Sequence, residues 1–167
     1  MSEKVILIGP PGAGKSTIGN ALAKKMKVKF ADTDALIEAK LEKKISDIFV
    51  DLGEPFFREE ELKVLAEVLV SDNGVISLGG GAPISLPAQE LLRNSGSTVI
   101  FLDISLGKAA ARVGFNRDRP LLLGNPRAQW TELMNARRPI YESLATAVIP
   151  VDDRSINEIC ADILVVA

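Results

Sequence analysis

A chain of 167 residues, 47% hydrophobic and 25% charged, can bury one substantial core and has the composition of a soluble globular protein. Its formal net charge of −2, the lack of a basic stripe and the scarcity of aromatics argue against a nucleic-acid partner, and no apolar run is long enough to cross a bilayer. With no histidine and a single cysteine, Cys160, imidazole acid–base chemistry, His-ligated zinc and an intrachain disulfide are excluded.

Hydrophobic periodicity alternates between strand-like and helix-like along the chain. Residues 5–8, Val-Ile-Leu-Ile, read as a strand buried on both faces. Residues 16–27 read as a helix, 28–31 as a strand, and 35–43, 45–52 and 54–69 as three helices. A strand over 75–78, a helix over 87–94, a strand over 98–102 and a helix over 106–113 follow. Residues 114–127, GFNRDRPLLLGNPR, are rich in Gly, Pro, Asn and Arg and read as a mobile loop. A helix over 128–144, a strand over 148–151 and a helix from residue 155 complete the chain. This alternation predicts an α/β fold with a mostly parallel sheet covered on both faces, in one domain spanning residues 1–167. The N-terminal MSEK lacks a secretory pattern, and the single cysteine fits a reducing compartment, so a cytoplasmic location is expected.

Between the first strand and first helix lies GPPGAGKST. Gly9, Gly14, Lys15 and Ser16 match the phosphate-binding P-loop in the strand–loop–helix context it requires. Glycines let successive N–H groups converge on phosphate oxygens, and the helix aims its positive end at the same point. Gly12, Ala13, Gly14, Lys15, Ser16 and Thr17 are the expected nucleotide contacts. Lys15 is expected to bridge the β- and γ-phosphates, and the Ser16 hydroxyl to ligate Mg²⁺.

Asp32-Thr33-Asp34 ends the second strand. Residues two apart share a face, so both carboxylates can enter one cleft at the carboxyl edge of the sheet, where open α/β sheets bind ligands. Asp34 could equally cap the helix that follows. The third strand lacks the aspartate that usually helps hold Mg²⁺, which leaves Asp32 as the substitute. Arg58 is either a cleft residue or a surface arginine paired with Glu54 or Glu61. Gly79-Gly80-Gly81 ends the third strand and leaves its backbone open to close approach. Arg117 and Arg119 lie on the mobile loop, Arg137 and Arg138 on the helix beyond it. A lid carrying arginines over a P-loop would exclude water and bring positive charge to a transferring phosphoryl group.

GPPGAGKSTIG, DTD at 32–34, ISDIF at 45–49, GEPFFRE at 53–59, SLGGGA at 77–82, RPLL at 119–122 and RRPIYESLA at 137–145 together resemble the shikimate kinase family over nearly the whole chain. The resemblance implies a three-layer P-loop kinase fold with a five-stranded parallel sheet, a lid at about 114–126, and a monomer. It implies transfer of the ATP γ-phosphate to the 3-hydroxyl of shikimate with Mg²⁺, a step toward chorismate and the aromatic amino acids. By position, Asp34, Arg58, Gly79, Gly80, Gly81 and Arg137 would hold shikimate, with the two arginines on its carboxylate. Asp34 would accept the hydroxyl proton, Lys15 and Arg119 would stabilise the transferring charge, and Arg112 and Arg154 would meet the adenine. Ser16 and Asp32 would serve the metal. A gluconate kinase-like enzyme and a catalytically silent ATP-binding module are the alternatives.

Overall fold

The computed structural model describes residues 4–113 and 126–167. Five strands, β1 (Val5–Ile8), β2 (Lys29–Asp32), β3 (Asn73–Ser77), β4 (Thr98–Asp103) and β5 (Ala147–Pro150), form one sheet in the order β2-β3-β1-β4-β5. Every pairing is parallel. The central position of β1 explains its unbroken apolar sequence: Val5, Ile6, Leu7 and Ile8 are each no more than 1% exposed, as a strand covered on both faces requires.

Among the described residues, eight helices connect and cover the strands: α1 (Lys15–Met26), α2 (Thr33–Leu41), α3 (Ile45–Leu52), α4 (Glu54–Leu69), α5 (Leu86–Asn94), α6 (Leu106–Val113), α7 (Pro126–Leu144) and α8 (Ile156–Val166). No described helix is long and apolar enough to cross a membrane. The expected lid, with Arg117 and Arg119, lies outside the described residues, as does the side chain of Arg112.

Most boundaries fall within one residue of the pattern-based reading, and three elements start two residues earlier than it. β3 begins at Asn73, because pairing with Lys29 of β2 extends it past the apolar stretch. α7 begins at Pro126 rather than 128. α2 begins at Thr33, since the cap of this helix is Asp32 and not Asp34: the Asp32 carboxylate accepts from the amides of Asp34 and Ala35 at 2.9 and 3.2 Å. The capping role open to Asp34 therefore belongs to its neighbour two residues earlier.

The carboxyl edge of the sheet collects the functional segments. β1 runs into the P-loop, β2 ends at Asp32, β3 runs into Gly79–Gly81, and β4 ends at Asp103. Since β1 lies between β3 and β4, the chain reverses its direction of travel across the sheet there, where open α/β sheets bind ligands.

Candidate active site

Gly12 and Gly14 have φ of 90° and 85°, conformations that a side chain disfavours. Gly14 caps α1 with no side-chain hydrogen bond, so the amides of the first helical turn face the mouth of the loop. The Lys15 ammonium donates to the carbonyls of Gly9 at 2.8 Å and Pro10 at 3.1 Å, which stations it over the loop. The Ser16 hydroxyl donates to Asp32 Oδ2. The two residues expected at a metal are thus in contact, and Asp32 serves the helix with one oxygen and Ser16 with the other. One hydroxyl and one carboxylate are hard oxygen donors that suit Mg²⁺, an ion that takes its remaining ligands from water and phosphates.

Beside the loop opens a cleft of about 480 Å³ whose walls include Pro11, Asp34, Arg58, Glu61, Gly80 and Arg137. Each charged group reaches it for a local reason. Asp34 sits in the first turn of α2, which is docked to the end of β3 by a buried hydrogen bond from the Gly79 amide to the Thr33 hydroxyl, 3.0 Å. Arg58 rises from the first turns of α4, and helical spacing sets it beside Glu54 (3.2 Å) and Glu61 (2.8 Å). Both sequence readings of Arg58 therefore hold at once: it is ion-paired on its own helix and it faces the cleft. Its guanidinium also lies 5.3 Å from the centroid of the Phe57 ring, within cation–π range.

The glycine run makes room for these side chains. A methyl group on Gly79 would meet the Asp34 carboxylate, one on Gly80 would come within 3.2 Å of Arg137 Nη1, and one on Gly81 within 2.8 Å of Arg58 Cζ. Gly80 and Gly81 thus line the cleft, and the run Gly79–Gly81 leaves space for three of its charged residues, Asp34, Arg137 and Arg58.

Helix α7 supplies the far wall. Arg137 is 8% exposed and faces the cleft, whereas Arg138, about 100° around the helix, forms a two-pronged bond to Asp103 at 2.7 and 3.2 Å. Asp103 and Glu142 hold the Arg138 charge firmly, raising its pKa despite partial burial. The pair of adjacent arginines is thereby resolved into one cleft residue and one structural residue. Tyr141 is fully buried and donates to the Gly80 carbonyl at 2.7 Å. Arg154 lies between β5 and α8, away from the cleft walls, bonded to the Pro150 carbonyl at 3.0 Å and ion-paired to Asp162.

Electrostatics set the state of the cleft. Burial pushes the Glu61 carboxyl above its ordinary pKa, Arg58 pulls it back, and the neighbouring Asp34 charge adds to the rise. For Arg58, burial opposes the charge, but Glu61 and Glu54 outweigh it and hold the pKa above its usual value. Glu61 and Tyr141 were not singled out as site residues from sequence, although Glu61 was legible as the helical partner of Arg58. No local sequence pattern marks Thr33 as the anchor of α2.

A triphosphate cradle opening sideways into a charged cleft sized for a small polar molecule defines the class: a P-loop kinase of small molecules. Comparison with known proteins narrows this. Residues 11–167 match the family model described as shikimate kinase, and the chain belongs to that family. It is 46% identical over 156 residues to a shikimate kinase of Rhodococcus jostii (strain RHA1), covering 93% of this chain and 92% of the relative. It is 48% identical to one of Rhodococcus erythropolis (strain PR4 / NBRC 100887), covering 93% and 91%. Among solved structures, shikimate kinase from Acinetobacter baumannii in complex with shikimate superposes with a TM-score of 0.93 at 32% identity, covering 97% of this chain and 90% of that one.

Proposed function

We propose that the protein transfers the γ-phosphate of ATP to the 3-hydroxyl of shikimate, giving shikimate 3-phosphate and ADP. The observation that carries this reading is the cleft: a carboxylate, Asp34, and two guanidiniums, Arg58 and Arg137, line one cavity that opens directly beside the P-loop. A hydroxylated ring acid offers the complementary groups. Arg58 and Arg137 grip its carboxylate, for which the planar guanidinium fork is suited. Asp34 accepts a hydrogen bond from the reacting hydroxyl, and the glycine run lets the ring lie against backbone.

Phosphoryl transfer proceeds through a loose transition state, so positioning and charge stabilisation supply most of the rate. The amides of the P-loop and α1 orient the phosphates. Lys15, shifting from its contacts with the loop carbonyls, bridges the β- and γ-phosphates. Arg119 of the lid segment adds its charge, and Asp34 takes the hydroxyl proton as the bond to phosphorus forms. Ser16 and Asp32 would hold Mg²⁺, which when bound would neutralise charge on the phosphate oxygens. Arg112 and Arg154 are assigned to the adenine end.

The test is a coupled ADP-release assay with ATP and Mg²⁺ against a panel of acceptors including shikimate, gluconate and nucleosides. Turnover that depends on shikimate is expected. Turnover with gluconate alone, or ATP binding without any acceptor-dependent turnover, would replace this reading by one of its alternatives.

A further inference from the structure

Trp130, the only tryptophan in the chain, is 4% exposed, and its indole Nε1 donates to the Pro11 carbonyl at 3.1 Å across 119 residues of sequence. The acceptor lies inside the phosphate loop. Along α7, Trp130, Arg137 and Tyr141 fall on one stripe, since separations of 7 and 11 residues nearly complete whole turns. One helix face therefore touches the P-loop through Trp130, lines the cleft through Arg137 and holds the Gly80 carbonyl through Tyr141.

The direction of the Pro11 carbonyl matters because the peptide that follows it is trans, as are all described peptides. In a trans peptide the C=O and the N–H point opposite ways. Turning the Pro11 carbonyl toward Trp130 therefore turns the Gly12 N–H away from α7. Gly12, with φ of 90°, is the residue type for which rotation of that peptide plane meets least steric resistance, so a directed bond from α7 to the Pro11 carbonyl biases its orientation. Burying a carbonyl against the indole without its hydrogen bond would be costly, which gives the anchor its strength.

We propose that Trp130 is a positioning residue for the triphosphate: its indole N–H fixes the Pro11–Gly12 peptide in the orientation that presents the Gly12 amide to a phosphate. This rests on the P-loop reading above. Tryptophan lends itself to this position because a rigid ring fills the buried space while one polar edge makes a directed bond.

The experiment removes the N–H and keeps the ring. Since Trp130 is the only tryptophan, expression with β-(benzothiophen-3-yl)alanine in place of tryptophan changes this position alone, and expression with a fluorotryptophan, which keeps the N–H, is the control. ADP affinity with Mg²⁺ and shikimate affinity without nucleotide are measured by calorimetry, and KM for ATP by turnover. The benzothiophene protein should bind ADP about five-fold more weakly, with KM for ATP raised by a similar factor, as loss of one ordinary hydrogen bond provides. Shikimate affinity should stay within about two-fold, and the fluorotryptophan protein should match the native one. Native ADP affinity in the benzothiophene protein overturns the proposal. So does equal weakening of ADP and shikimate, which would mark a packing role only. Trp130→Phe, a ring without the N–H, gives the same comparison if the analogue does not yield folded protein. The calorimetric ADP arm needs no turnover, so absence of shikimate-dependent activity in the native protein would refute the proposed reaction without deciding the role of Trp130.

Discussion

Gly79→Ala tests whether the position of Asp34 sets the rate. The Cβ of alanine would stand 3.0 Å from Asp34 Cγ, against an ordinary carbon–carbon separation of about 3.5–4.0 Å. The backbone cannot easily yield, because the Gly79 amide is held by the buried Thr33 hydroxyl and Thr33 adjoins Asp34. The carboxylate must therefore retreat by about 0.5–1 Å. A displacement of that size at the group that orients the nucleophile costs up to about 10²-fold in rate. The clash falls on the end of one side chain, so the fold should survive with a Tm within a few degrees of native. Steady-state kinetics with ATP and shikimate should show kcat reduced by about 30- to 100-fold with KM for ATP within two-fold. Near-native kcat in a folded Gly79→Ala protein would refute the placement of Asp34 at the reacting hydroxyl.

Asp34→Asn, which keeps the shape and removes the charge, should lower kcat far more than it weakens ATP binding; normal turnover would remove Asp34 from the mechanism. Asp32→Asn keeps a good helix-capping side chain and loses the charge beside Ser16, so Tm should hold while the Mg²⁺ concentration for half-maximal rate rises about ten-fold; an unchanged Mg²⁺ requirement would place the metal elsewhere. Arg58→Ala should raise KM for shikimate and also leave Glu61, 5% exposed at its side chain, without its partner, costing about 1–3 kcal/mol near neutral pH. The Glu61 carboxyl is raised by burial in the folded state. It therefore binds more protons folded than unfolded, and its contribution to stability is lost as pH rises through the folded pKa. Without Arg58 that pKa climbs further, so the Tm deficit of Arg58→Ala should shrink as pH falls toward 5, and Arg58→Ala/Glu61→Gln should recover stability without recovering KM. Arg137→Ala should raise KM for shikimate, whereas Arg138→Ala should lower Tm slightly, by loss of a half-exposed pair with Asp103, and leave KM alone.

The order of strands and helices could be read from the chain because β1, β4 and the second half of β3 are apolar runs of the kind parallel sheets bury on both faces, while the edge strands β2 and β5, only partly buried, were marked by their place between helical stretches. The P-loop was legible for the same reason it functions: its glycines, lysine and serine occupy fixed steps between a strand and a helix. What sequence left open were choices between neighbours. Asp32 or Asp34 as helix cap, and Arg137 or Arg138 as cleft residue, differ by one or two positions, and the outcome depends on which face of α2 or α7 packs inward. The contacts of Trp130 with Pro11 and of Tyr141 with Gly80 span 119 and 61 residues, and no local pattern encodes pairings at that distance. The glycine run was visible, but its correspondence with Asp34, Arg137 and Arg58 emerges only when α2, α7 and α4 converge on the end of β3.

Phosphorus NMR of the reaction mixture reaches the central claim most directly. Incubation with ATP, Mg²⁺ and shikimate should yield ADP and, in equal amount, a single phosphomonoester whose phosphorus couples to the ring proton on carbon 3. ADP without an ester, or an ester at another hydroxyl, would contradict the placement of the acceptor between the two arginines and Asp34.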